Sequence, residues 1–163
     1  MKHSQQGVML IEALIGILIF SIGILALVAM QASAISAQSD AQFRIEASNF
    51  TDRLVNKLWV NVDRTSAATI QTSLSGAGGF AHQATEASWC NFTGPVSTST
   101  IVTDWVDDVS NNAASRLPGA TAGMVSVAVD TSASGYNKVT VSICWKAPTD
   151  AIARKHQVVT HIN

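Results

Sequence analysis

The chain has no proline before Pro95 and no lysine or arginine between Lys2 and Arg44. The first absence leaves nothing that obliges an early helix to break, because proline is the residue that deletes a backbone donor and clashes with the preceding turn. Charge is scarce throughout: charged residues make up 13% of the chain and the net charge is −1. That balance suggests neither a field for holding nucleic acid nor a disordered polyelectrolyte. Arg44, Arg53, Lys57 and Arg64 alternate with Asp40, Glu46, Asp52 and Asp63, the pattern of a solvated helix face, so no nucleic-acid partner is expected. Only two cysteines occur, Cys90 and Cys144, at a spacing that fits neither a zinc ribbon nor a redox CxxC pair. His156 and His161 are five apart on a β-like run and point to opposite faces, while His3 and His82 stand alone. Asp104, Asp107 and Asp108 lack the Asp-x-Asp-x-Asp-Gly spacing of a calcium loop. Gly76-Ala77-Gly78-Gly79 lacks the Lys and Ser/Thr of a phosphate loop and reads as a linker. No Ser/His/Asp grouping emerges. The expectation is a non-enzymatic chain with no catalytic residues, no cofactor and no metal site.

What the chain does have is one long apolar run. From Val8 to Met30 it spans 23 residues in which only Glu12 and Ser21 are neither aliphatic, aromatic, Met nor Gly. About 20 such residues cross a bilayer as a helix. An acidic side chain at the centre of such a helix costs roughly 2.5 to 3.5 kcal/mol, so Glu12 calls for a partner. Cleavage of the chain after Gly7 would supply one: it frees an α-amino group on Val8, one helical turn from the carboxylate. Taken alone, Glu12 also fits an interfacial carboxylate that snorkels to the lipid headgroups. That does not account for the glycine junction.

A short polar leader with Lys2, the Gly7-Val8 junction and a glutamate at the fifth position of the remaining chain resemble the class III signal of type IV pilins and pseudopilins. Glu12-Ala13-Leu14-Ile15 and the run Ser21 to Gln31 are similar to the PilV-type minor pilins, as, more loosely, are Leu117-Pro118-Gly119 and Val139 to Trp145. The resemblance implies leader removal between Gly7 and Val8 by a prepilin peptidase, N-methylation of Val8, and pairing of Glu12 with the N-terminal amine of a neighbouring subunit. It further implies a minor subunit of the type IV pilus that primes assembly or sits near the fibre tip, with roles in adhesion and motility. Its partners would be other minor pilins, the major pilin and the inner-membrane assembly machinery. A minor pseudopilin of type II secretion is the nearest alternative. A different class of protein follows from Ala32-Ser33-Ala34, which fits an ordinary secretory cleavage site and would release a soluble binding module or enzyme beginning at Ile35. Against it stand the length of the apolar run and its glutamate, since the apolar core of an ordinary signal has about 7 to 15 residues.

With Lys2 ahead of the run, the positive-inside rule places residues 1–7 in the bacterial cytoplasm and the C-terminal part in the periplasm. That compartment is oxidising, and a Cys90–Cys144 disulfide is expected there, with two separate buried thiols as the other arrangement. Phe43, Ala47, Phe50, Leu54 and Leu58 form one apolar stripe at helical spacing, so the helix of residues 8–30 continues as an amphipathic half over 31–64. Gly16 and Gly23 lie in the apolar half, where small residues permit either local melting or ordinary membrane packing. Residues 65–122 read as a loop-rich variable region in which only Thr103 to Val109 suggests a short helix. Residues 123–163 read as antiparallel strands: Gly123 to Val129, a turn at Ser134-Gly135-Tyr136-Asn137, Val139 to Trp145, and His156 to Ile162. The expected fold is α+β, a long N-terminal helix, transmembrane then amphipathic, packed on a C-terminal antiparallel sheet in the manner of a type IV pilin. Cys144 faces away from Trp145, so a disulfide there would pin the Trp89-Cys90 loop to the outer side of the sheet.

Overall fold

A computed structural model describes residues 6–75, 78–113 and 116–163. The architecture is α+β, with a helix α1 at Gln6–Asn61 (56 residues) and a C-terminal antiparallel sheet. The chain divides into two compact units, Met1–Gln42 and Phe43–Asn163. In the first, α1 runs on without a break and its side chains from Val8 to Ser39 are exposed. Gly16 and Gly23 sit in this stretch with open space where a side chain would project.

The second unit builds one core. Its sheet has the order β3-β4-β5, with β3 at Val125–Asp130, β4 at Lys138–Trp145 and β5 at Arg154–His161, antiparallel throughout. Alternation along β4 places Val139, Val141, Ile143 and Trp145 on one fully buried face. Against this layer lies the predicted stripe of α1, in which Ala47, Phe50, Leu54 and Leu58 are buried and Phe43 is partly buried. A third component is α3 at Thr100–Ser110, longer than the expected segment, which contributes Val102, Trp105, Val106 and Val109. The Trp105 indole donates a hydrogen bond to the Phe50 carbonyl at 3.0 Å, joining α3 to α1. This pays for burying the indole N–H, whose desolvation would otherwise cost about 1 to 3 kcal/mol.

The region 65–122 holds more regular structure than expected. Helix α2 occupies Ala67–Ser75 and a two-stranded hairpin pairs β1 at Thr85–Ser88 with β2 at Asn91–Thr93. Helix α2 buries only Leu74 among its nine residues, so apolar periodicity gave little sign of it. Its start is fixed locally instead: the Ser66 hydroxyl accepts the Thr69 N–H at 3.1 Å, a capping arrangement that satisfies a first-turn donor. The Leu117-Pro118-Gly119 segment meets the end of β4, where the Lys146 N–H donates to the Pro118 carbonyl at 2.9 Å. Gly119 has φ +61°, and a Cβ there would lie 2.5 Å from the Lys146 carbonyl oxygen, so the position requires glycine for both conformation and space.

Candidate functional site

Glu12 is the single charged residue between Val8 and Ser39. The helix geometry sets it one turn beyond Val8, roughly 6 Å along the axis at 1.5 Å per residue. Around it Val8, Met9, Leu10, Ile11, Leu14 and Ile15 are all more than half exposed. Ser21, the other polar residue of the run, donates its hydroxyl to the Ile17 carbonyl at 2.7 Å. Its polarity is satisfied within the helix, whereas among the described residues no cation forms an ion pair with Glu12. Among those residues α1 is the one helix long and apolar enough to cross a membrane.

Gly7 and Val8, the expected cleavage junction, both lie within α1, and Val8 is exposed. Residues 1–5 of the expected leader, with Lys2 and His3, lie outside the described residues. Gly7, Val8 and Glu12 therefore belong to the opening turns of one helix. Ala32-Ser33-Ala34 falls in the middle of the same continuous helix.

Cys90 and Cys144 form a disulfide across a sequence separation of 54 residues. It joins the turn of the β1-β2 hairpin to the face of β4 opposite Trp145. A small second cluster of Cys90, Phe92 and Cys144, flanked by Met124 and Ala153, forms around it. Cys90 holds a left-handed backbone at φ 58°, uncommon for a residue with a side chain. Its N–H donates to Glu86 Oε1 at 3.1 Å, and Glu86 also receives the Lys155 ammonium at 2.6 and 2.8 Å. The Lys155 hydrogen bonds, with the Cys90 N–H next, hold the Glu86 carboxyl below its ordinary value.

The remaining candidates are not brought together. His156 and His161 stand opposite Ile143 and Lys138 respectively on β4, at different ends of β5. On α3, Asp107 accepts from the Asn111 side chain at 3.0 Å and Asp108 takes the Arg53 guanidinium at 3.3 Å. Gly78 and Gly79 are described, while Gly76 and Ala77 lie outside the described residues. Among the described residues no group of three or more His, Cys, Asp or Glu gathers as metal ligands would.

One residue was not legible as a structural element. His82 is 4% exposed and pairs backbone to backbone with Val127, so a segment expected to be loop extends the sheet. Its Nδ1 accepts the Ser97 N–H at 3.3 Å, which places the proton of the neutral ring on Nε2. Burial lowers its pKa from the ordinary 6.5. Comparison with protein-family models, with curated proteins and with solved structures finds no match to this chain.

Proposed function

We propose that this chain is a minor pilin of the type IV pilus, a low-abundance subunit that primes assembly or sits near the fibre tip and serves adhesion and motility from there. The observation that carries this is Glu12: an isolated carboxylate one turn beyond a Gly-Val junction, in a helix that leaves its apolar side chains uncovered from Val8 to Met30. The α+β arrangement, taken as a pilin-like fold, and the disulfide support it.

In this reading a prepilin peptidase hydrolyses the Gly7–Val8 amide and methylates the new amine of Val8. The subunit then rests in the bacterial inner membrane by one span, with its C-terminal unit in the periplasm. An unpaired carboxylate in hydrocarbon is costly, and so is an unpaired ammonium. When the Val8 ammonium of one subunit meets the Glu12 carboxylate of the next, both charges are satisfied at once. Helix packing meanwhile covers the surrounding aliphatic side chains. Contact requires a register that offsets adjacent helices by about one turn, so the ion pair acts chiefly as a register device, the best-attested use of a buried charge pair. The partners are other minor pilins and the major pilin, delivered by the inner-membrane assembly machinery.

Mass spectrometry of the protein extracted from its own cells tests the reading directly. A chain that begins at N-methylated Val8 supports it, whereas a chain that begins at Ile35 or retains residues 1–7 overturns it. Glu12→Gln should leave membrane insertion intact and remove the subunit from sheared fibres. Gene deletion separates the pilus from type II secretion: loss of surface fibres supports the pilin, and loss of enzyme export with fibres intact assigns a pseudopilin.

A further inference from the structure

A cleft of about 390 Å³ lies in the Phe43–Asn163 unit, lined by Arg44, Trp89, Asp150, Ile152, Arg154 and Lys155 with two intervening alanines. Its size falls within the range of small-ligand sites, about 300 to 1,000 Å³. Trp89 is the unusual member. An indole is normally buried, yet this one is 61% exposed and is nonetheless held in place. Its N–H donates to the Ala153 carbonyl at 2.9 Å, and the Lys155 ammonium sits 5.1 Å from the ring centre. The next residue, Cys90, is tied to β4 by the disulfide. A cation over one face, a hydrogen bond at the edge and a covalent staple one residue away hold the ring while most of the residue stays exposed.

Beside this platform two of the cations that line the cleft, Arg154 and Lys155, are each held in a pair with a carboxylate. Arg154 donates to Asp150 through Nε at 3.1 Å and through a terminal nitrogen at 3.0 Å, a two-point contact. Lys155 is likewise neutralised by Glu86. A site built for phosphate or nucleic acid needs cations with unspent charge. Here the charges of Arg154 and Lys155 are already balanced. Asp150 Oδ2 accepts from both Arg154 Nε and, at 3.3 Å, the Ala147 N–H, which leaves Oδ1, with a single protein donor among the described residues, to take a further hydrogen bond beside the guanidinium. Adjacent donors and acceptors next to a flat apolar face match a ring that has C–H bonds on one side and vicinal hydroxyls at its edge.

We infer that the Trp89 cleft is a carbohydrate site, which takes a neutral saccharide ring stacked on the indole with hydroxyls hydrogen-bonded to Asp150 and Arg154. The inference stands apart from the pilus reading: a failed sugar test leaves the Val8 terminus and Glu12 untouched, and the converse holds too.

The test uses the full chain in a polyoxyethylene detergent, which has no sugar headgroup, on a printed array of neutral oligosaccharides. Sialylated oligosaccharides, a polyglutamate peptide and an oligo-dT strand form the comparison arms. At least one neutral oligosaccharide should bind, and Trp89→Ala should weaken that binding about tenfold or more. Trp59→Ala, at a partly exposed tryptophan outside the cleft, should leave it unchanged, and Asp150→Asn should weaken it with a normal thermal unfolding curve. In the unsubstituted chain the bound sugar should protect Trp89 from oxidation by N-bromosuccinimide, a readout that does not depend on any variant folding. Absence of neutral-sugar binding, binding confined to a comparison arm, or sugar binding that leaves Trp89 unprotected would overturn the assignment.

Discussion

Leu18 and Leu54 lie on the same helix, α1, yet one is 60% exposed and the other fully buried. The contrast holds along the two units. Up to Met30 the helix exposes its apolar side chains, whatever direction they point, whereas from Ala47 onward a single stripe is buried against strands and α3. Soluble monomers rarely expose continuous apolar patches beyond a few hundred Å². The Phe43–Asn163 unit has its own core and its own covalent cross-link and, in the proposed reading, is complete in water, while the first unit is complete only in hydrocarbon or against other apolar helices. One secondary structure serves both because a helix satisfies its backbone internally in either medium.

The sharpest way to break this contrast is to separate the units. A chain of residues 43–163 should be monomeric in water and unfold in one cooperative transition, whereas the full chain should require detergent. Gel filtration and circular dichroism with and without detergent decide it, and a truncated chain that aggregates or stays unfolded would show that the second unit is not self-sufficient.

Within that second unit the cross-link should matter next most. Replacing both Cys90 and Cys144 by Ser releases a loop closed across 54 residues. The chain-entropy model gives a loss of about 4 kcal/mol, read from urea unfolding. A loss below about 1 kcal/mol would mean that the cysteine-linked hairpin adds little to the stability of the sheet.

The leucine pair carries the comparison to single side chains. Leu54→Ala should destabilise by about 3 kcal/mol through lost burial and a cavity. Leu18→Ala, exposed in the isolated chain, should change thermal unfolding in detergent by no more than about 0.5 kcal/mol. Equal effects would erase the distinction between a helix face packed in its own core and one that awaits a covering.

The elements that the sequence made legible are those whose energy is apolar and periodic. The unbroken α1, its stripe from Phe43 to Leu58, and the buried row Val139, Val141, Ile143 and Trp145 all announce themselves by spacing. The disulfide followed from the expected compartment, and the side of the sheet it pins from the opposed faces of β4. Helix α2 and the hairpin β1-β2 did not, because Ser, Thr and Ala dominate them. They are held instead by the Ser66 cap and by the tie from Cys90 to Cys144. At the candidate site the carboxylate at Glu12 was plain from its isolation. The exposed, immobilised indole of Trp89 was not, since only the fold brings Ala153 and Lys155 beneath it.

The smallest expected effect concerns His82 and sharpens the contrast from the side of charge. Protonating this ring requires its Nδ1 to stop accepting the Ser97 N–H and brings a positive charge into a site that is 4% exposed. The folded chain therefore takes up the proton less readily than the unfolded chain, and the folded pKa lies below the ordinary 6.5. With the pKa depressed, the unfolded state binds more protons below pH 6.5, so stability is full above that value and declines as the pH falls toward the folded pKa. The carboxyl groups of Glu86 and Asp150, also lowered, act in the same direction but only below their ordinary values of 4.5 and 3.8, which leaves a window for the imidazole between. Thermal unfolding of residues 43–163 should drop modestly between pH 7.5 and 5.5, and His82→Gln should flatten that drop. An unchanged slope in the variant would place the sensitivity elsewhere and remove His82 as the group that ties this core to acidity.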